Sequence, residues 1–441
     1  MVAAIRSALL SLWWGRLREQ LWFRPAVWSV AAVGAALLAA VANSVVPPDL
    51  LPDIGHATLE GLLTIIASSM LTVSTFSLSI LVSAYASAAS TATPRATRLV
   101  MADNDAQNAI AAFVSAFIFS MIALVALGVG YYGPAGRLVL FVFTLLVLAY
   151  LILALLRWIG TLSTLGRMNH TIEAVEKVAT QALRDWRAAP GLGARLLADA
   201  AAPLQGVPVH ARWTGYLRHI DVAAIEAAAQ AAGATVHLCL RPGAFVSRQT
   251  VLARLSRTAA ADDKQDVLAD LAETVATSFV IGRERTERQD PRFGLVMLSE
   301  IAQRALSPAV NDAGTAIAVL GAMTRVLVEG TRPREGDGDD SAPLPAAPEI
   351  HHVTIVPLDP ADLVRDVLEP IARDGAGSLE VCLRIQKMLA IVAANTDGAL
   401  AAAARAEAER ARDHALAGLR LPHERERLLA QVPHEAPAPR P

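Results

Sequence analysis

Four runs of apolar residues without internal charge dominate the chain through residue 160: Pro25 to Val46, Gly61 to Thr93, Ala109 to Gly130 and Leu138 to Leu156. At ~1.5 Å rise per residue, about twenty helical residues cross a hydrocarbon core of ~30 Å. Each run is therefore predicted to span a membrane as a helix. The polar punctuation fits this division. Pro25 suits a first helical turn, and Pro47, Pro48 and Pro52 stop the first run. Pro94, Arg95 and Arg98 follow the second run, and Tyr131 to Gly136 form a tight aromatic turn between the third and fourth.

The second run differs from the others in its polarity. Thr64, Ser68, Thr72, Thr75, Ser79, Ser83 and Ser87 recur every three or four residues, and at ~100° per residue they fall within roughly 140° of the helix circumference. Such a row has two readings. It can line a pore, where hydroxyls replace part of a solute's hydration without a fixed charge, or it can let membrane helices approach closely and hydrogen-bond. No run holds Asp, Glu, Lys, Arg or His in its interior. Proton relays, coupled transport and voltage sensing need such groups within the membrane, so those mechanisms are disfavoured.

Charge sets the orientation. Arg6, Arg16, Arg18 and Arg24 alternate with Leu9, Trp13, Trp14, Leu17 and Trp22, which predicts an interfacial amphipathic helix over residues 1–24. The loop from Pro47 to Glu60 carries acidic residues and no Lys or Arg, whereas Arg157, Arg167, Lys177 and Arg184 follow the fourth run. The positive-inside rule then puts both termini in the cytoplasm of a bacterial inner-membrane protein. Hydrophobic residues make up 54% of the 441, an excess that membrane spans explain. The balance of 39 Lys+Arg against 41 Asp+Glu provides no global field to recruit nucleic acid. Cys239 and Cys382 lack metal or redox spacing, and no cofactor is expected.

After a four-helix membrane domain over 25–160 and a connector helix over 161–206, alternation at Val207, Val209 and Ala211 and at Val236, Leu238 and Leu240 predicts strands. Asp221 to Ala232 is predicted as a helix between them, and Gly243 as a turn residue suited to positive φ. This Gly-Tyr-Leu, Ile-Asp, Arg-Pro-Gly layout is similar to small barrel modules of the biotinyl-carrier kind, but the segment contains no lysine for attachment. A mostly helical α+β cytoplasmic domain over 207–329 with a small β module is expected. A Pro/Gly/Asp-rich linker over 330–349, a strand from His351 to Val356 with further helices over 350–432, and a tail over 433–441 complete it. Within that last part Asp359-Pro360 opens a helix, and Gly375 to Asn395 reads as the next.

Phe293, Val296, Leu298, Ile301 and Leu306 have helical spacing, Ser307-Pro308 ends that helix, and Asn311 or Asp312 can cap the following one. Around them stand Arg285, Thr286, Gln289, Asp290, Arg304, Ser307, Pro308, Asn311 and Asp312. In this order, together with Phe76 to Ser79 and Pro94-Arg95, they resemble a bacterial family of predicted membrane proteins whose domain is of unknown function (family 2254). The resemblance implies the architecture and brings no activity. The chain departs from the family's P-G-x-N-D-P at Ala309 and Ala313. The polar set can be a network pinning two helices, an anion site or an acid–base site. No nucleophile elbow, phosphate loop or metal cluster accompanies it, so no enzyme activity is expected.

Two functions follow as expectations. One is a homo-oligomeric channel for ions or small solutes, lined by the second span. The other is a membrane-anchored cytoplasmic scaffold or ligand sensor, held by the lipid bilayer and without transport.

Overall fold

The computed structural model describes residues 23–38, 55–91, 93–101, 104–164, 167–198, 204–257, 265–331 and 351–431. The expected N-terminal amphipathic helix, the end of the first apolar run, most of the 330–349 linker and the tail lie outside the described residues. The chain divides into two compact units, Met1–Thr171 and Ile172–Pro441.

The first unit is helical: α1 (Phe23–Leu38), α2 (His56–Thr91), the short α3 (Pro94–Met101), α4 (Asn104–Gly128) and α5 (Pro134–Thr164). Among the described residues, three stretches, His56–Ser90, Ala106–Gly128 and Pro134–Leu162, are long and apolar enough to cross a membrane. Of the first expected run, α1 accounts for residues 25–38. The helices outrun the apolar runs: α2 takes in Glu60, and Arg137 and Arg157 lie on α5 near its ends.

Helix α4 is the hub, with α1, α2 and α5 packed on it. Its buried residues include Ala109, Ala112, Ala116 and Ala123, small side chains that let backbones approach where apolar burial supplies no drive. Leu59 and Leu63 of α2 cluster with Phe119 and Leu127 of α4 and Leu140 of α5. Toward the other end of α4, Ile66 and Leu81 join Phe113, Leu151 and Trp158. Phe119 meets Phe143 edge-on at 5.3 Å between centroids. On α5, Leu146, Ile152, Leu153 and Leu156 are more than half exposed, an apolar surface that water would not tolerate over such an extent.

The second unit holds two sheets. The larger runs in the order β1 (Arg195–Leu196), β8 (Val353–Ile355), β4 (Ala234–Leu238), β6 (Val251–Arg257), β2 (Val207–His210), and the smaller is β5 (Phe245–Val246), β3 (Gly215–Ile220), β7 (Phe279–Gly282). β8 pairs in parallel with both β1 and β4, and the remaining pairs are antiparallel. The barrel likeness does not hold: the strands of the expected small β module are shared between two sheets. Helix α7 (Val222–Ala232) starts where expected, with Asp221 accepting from the Ala224 N–H, and Gly233 in the left-handed region ends it. It packs with α8 (Gln265–Thr277), and Ile225, Ala229, Leu271 and Val275 share a core with Val236, Leu252 and Val353. The expected connector also contributes β1, because Arg195 pairs with Thr354.

The described residues of the unit also form α9 (Pro291–Leu306), α10 (Ala313–Glu329), α11 (Pro360–Asp374), α12 (Leu379–Asn395), α13 (Gly398–Gly418) and the short α14 (Pro422–Gln431). The helix expected from Gly375 begins at Leu379, since the Gly375 N–H closes α11 onto the Ile371 carbonyl at 2.8 Å and the chain turns there. The strand expected from His351 begins at Val353. Helix α6 (Met168–Ala188) lies against α9 so closely that a Cβ at Gly294 would come 2.4 Å from the Ala179 Cβ. Arg325 of α10 ties it further with a two-pronged bond to Glu176 at 2.6 and 2.7 Å.

Candidate functional site

The hydroxyl row of α2 lies opposite the face that packs. Leu59, Leu63, Ile66, Ser74, Ser77, Leu81, Ala84 and Ala88 are buried, whereas Thr64, Ser68, Thr72, Thr75, Ser79, Ser83 and Ser87 are all exposed. At ~100° per residue the centres of the two arcs are about 180° apart. Among the described residues of the first unit, the row is therefore not used for packing. Ser68 Oγ donates to the Thr64 carbonyl at 2.9 Å, Thr72 Oγ1 to Ser68 at 3.0 Å and Thr75 Oγ1 to Leu71 at 2.9 Å. With their hydrogens engaged on the preceding turn, these hydroxyls turn lone pairs outward. Glu60, exposed one turn before Thr64, extends the same row at i, i+4 spacing. The sequence reading passed over it, although the spacing was there to be read.

Other hydroxyls of this unit go inward. Ser74 donates to the Met70 carbonyl at 2.6 Å, and Thr144 to Leu140 at 2.7 Å. Ser77 Oγ and Ser120 Oγ are buried with no hydrogen-bond partner among the described residues.

The polar motif of the second unit resolves into two joints at opposite ends of α9, about 24 Å apart for sixteen residues at ~1.5 Å each. At the N-terminal joint, Asp290 is fully buried. Its Oδ2 accepts from Arg285 Nε at 2.9 Å and Nη2 at 2.5 Å, and its Oδ1 accepts the Arg292 N–H at 3.2 Å, capping the helix ahead of Pro291. The Arg285 guanidinium stacks 5.1 Å over the Phe293 ring. Burial pushes the Asp290 carboxyl above its usual range while Arg285 and Arg292 pull against that rise. Gly243, at φ +96, closes over the pair, and a Cβ there would come 2.1 Å from Asp290 Oδ2. Gln289 treats β3 as a neighbouring strand would: its Oε1 accepts the Ile220 N–H at 2.9 Å and its Nε2 donates to the Ile220 carbonyl at 3.3 Å. Thr286 Oγ1 donates to the Arg218 carbonyl at 3.3 Å. A carboxylate sealed in this way has no open face for a substrate.

The C-terminal joint is exposed. Ser307 Oγ donates to the Arg304 carbonyl at 2.7 Å, the Asn311 N–H reaches the Ser307 carbonyl at 2.9 Å, and Pro308 lies at the surface. Asn311 sits at φ +50, a left-handed conformation that Asn tolerates better than most residues, so the turn closes despite Ala309 and Ala313. Asp312 caps α10, accepting from Thr315 N–H at 2.9 Å and Thr315 Oγ1 at 2.6 Å. These bonds hold its carboxyl below the usual range.

Two further polar joints escaped the sequence reading. Arg241, buried, donates to the Val356 carbonyl at 2.9 Å and the Pro190 carbonyl at 2.6 Å, and burial lowers its pKa to about 10. Glu226 of α7 accepts the His352 N–H at 3.0 Å and meets His352 Nδ1 at 2.8 Å. Burial alone would raise that carboxyl, but the His352 ring and the His351 and His352 N–H groups outweigh it and hold it low. Among the described residues, no three of His, Cys, Asp and Glu come together as a metal site would require.

A family model described as "Predicted membrane protein (DUF2254)" matches residues 18–391. The chain belongs to this family. The DUF2254 match takes in the described helices of the first unit and both joints of α9, and it ends within α12. The chain is also similar to two mycobacterial proteins, Uncharacterized protein Rv1290c of Mycobacterium tuberculosis and Uncharacterized protein Mb1321c of Mycobacterium bovis. It is 36% identical to each over 145 residues, 32% of this chain. The matched segment spans about a quarter of those curated relatives, 27% of each. No solved structure matches. This DUF2254 chain is thus a membrane protein with apolar helices of spanning length and a separate α+β unit.

Proposed function

We propose that the protein is a multi-pass inner-membrane protein with four spans and cytoplasmic termini, whose α2 helices assemble around an axis in a homo-oligomer to form a passive pathway. The permeant class is a small cation or a neutral solute. One observation carries this reading: among the described residues of the first unit, the hydroxyl row of α2 is exposed, opposite the face that packs. Polar groups on the outside of a membrane unit call for a partner copy or water beside them, and a symmetric ring of copies supplies both. Outward lone pairs and Glu60 at one end of the row suit a partly dehydrated cation and repel an anion. The reading assigns the chain no reaction.

The test is flux from liposomes containing purified, oriented protein across a panel of salts and osmolytes. Substituting Thr72, Thr75 and Ser79 together by Ala is expected to change the flux, and Glu60→Gln to weaken any preference for cations over anions. No flux under any condition from verified oligomers sinks the proposal.

A scaffold or sensor role is the second reading, favoured by an exposed aromatic edge on the second unit. Trp213 carries Arg248 5.7 Å from its ring, and Phe245 stacks edge-on with Tyr216 at 5.0 Å. That role predicts partner capture that survives the triple alanine substitution and is lost with Trp213→Ala.

A further inference from the structure

The groove between α1 and α5 has an amphipathic build that a helix-packing seam does not need. Both helices pack on α4, whose Ala109, Ala112, Ser115 and Ala116 form a floor of small side chains between them. At one end lies a cavity of about 500 Å³ edged by Arg157 and Asn108, and beside it lies one of about 280 Å³ lined by Phe119, Phe143, Leu146 and Val147. Trp28 and Tyr150 border both, so the two form one groove with a polar head and an apolar body.

Its dimensions match one leaflet. Arg157 and Phe143 are separated along α5 by about 21 Å at ~1.5 Å per residue, compared with roughly 15 Å for half of a ~30 Å hydrocarbon core plus the start of the headgroup layer. Trp28 and Tyr150 border both cavities, Tyr150 about 10 Å along α5 from Arg157 at ~1.5 Å per residue. Each cavity falls near or within the roughly 300–1,000 Å³ of ordinary small-molecule sites.

We propose that this groove binds one anionic phospholipid, its phosphate on the Arg157 guanidinium and the Asn108 amide and an acyl chain along the α4 floor. Arginine suits a phosphate because its planar fork can donate two parallel bonds. A lipid that merely coats the apolar surface would not discriminate by headgroup. The occupant here does. The site requires only that the first unit lies in a bilayer, and it stands whether or not α2 conducts.

The test uses the full-length protein in mild detergent, titrated with phosphatidylglycerol or phosphatidylethanolamine, with bound lipid counted by native mass spectrometry. One phosphatidylglycerol per chain is expected, preferred by roughly tenfold, because the ammonium that phosphatidylethanolamine carries beside the same phosphate is repelled by the Arg157 guanidinium. Arg157→Gln should abolish the preference, and Arg157→Lys should keep part of it. Ser115→Leu, which fills the apolar floor and leaves the head untouched, should lower retention of both lipids. Millimolar inorganic phosphate should not displace the lipid; if it does, the site takes free phosphate and the lipid assignment fails. Equal retention of the two lipids by the unaltered protein, or an unchanged preference in Arg157→Gln, overturns the proposal. If Arg157→Gln does not fold, Arg157→Lys and Ser115→Leu carry the same decision.

Discussion

Replacing Asp290 by alanine would remove the cap of α9 and break the buried pair with Arg285. The carboxylate is fully buried, while Arg285 keeps 17% of its side chain exposed. Breaking a buried pair by deleting one partner costs about 3–5 kcal/mol, and lost capping is about 1 kcal/mol of that kind of penalty. Because the stranded guanidinium retains a route to water, the lower end, about 3 kcal/mol, is expected. Asp290→Asn keeps the cap and one acceptor for Arg285, so about 1–2 kcal/mol is expected there. Hydrogen exchange on the full-length protein reads the effect locally, following peptides that cover residues 285–298 and strand β3, to which Gln289 and Thr286 are bonded. At about 1.4 kcal/mol per tenfold, Asp290→Ala should speed exchange of the first turns of α9 roughly a hundredfold, and Asp290→Asn roughly tenfold. If exchange stays within about threefold of the parent in both variants, the carboxylate is not the pin argued here and a ligand-binding role for the motif regains standing.

Gly294→Ala forces a methyl into Ala179 and should cost about 1–3 kcal/mol, read as a lower melting midpoint, with Ala179→Gly in the same chain restoring most of it. Asp312→Ala should cost about 0.5–1 kcal/mol, since this cap is solvent-exposed. Because the Asp312 carboxyl is held below its ordinary 3.8, its contribution is complete above that value and drains as pH falls through the lower folded value. An acid titration of α10 amide protection should show this loss in the parent and not in Asp312→Ala. Ser77→Ala removes a buried hydroxyl that has no hydrogen-bond partner among the described residues and should leave stability unchanged or raise it slightly. A fall of more than about 1 kcal/mol would mean that Ser77 has a partner in the membrane.

Elements governed by local rules were readable from the chain. The charge-free runs foretold α2, α4 and α5, and Asp221, Asp312 and Asp359-Pro360 marked helix starts because a cap needs only its own next turn. Long-range pairing was not readable. Nothing near Arg195 announces that it will lie beside Thr354, and alternation cannot say which strands share a sheet, so one small β module was expected where two sheets form. The motif at Arg285 to Asp312 stood out as a cluster in sequence, yet α9 holds its two halves apart, and helix length decides that. The hydroxyl row was legible as a row. Its direction was not, because periodicity fixes one face without saying what the opposite face packs against, and only the burial of Leu63, Ser77 and Leu81 settles the row's outward aim.

The account of function rests on that outward face meeting water in the assembled protein. Single cysteines introduced along α2 and treated in membranes with a charged, impermeant thiol reagent measure it directly, since only a hydrated thiol ionises and reacts. Burial raises the Cys382 thiol to about 11 and raises Cys239 as well, so both native thiols are expected to label slowly. Ser68→Cys, Thr72→Cys, Thr75→Cys and Ser79→Cys should label, while Leu63→Cys and Leu81→Cys, on the buried face, should not. If none of the row labels, or if Leu63→Cys and Leu81→Cys react as fast as the row, the aqueous pathway along α2 is contradicted.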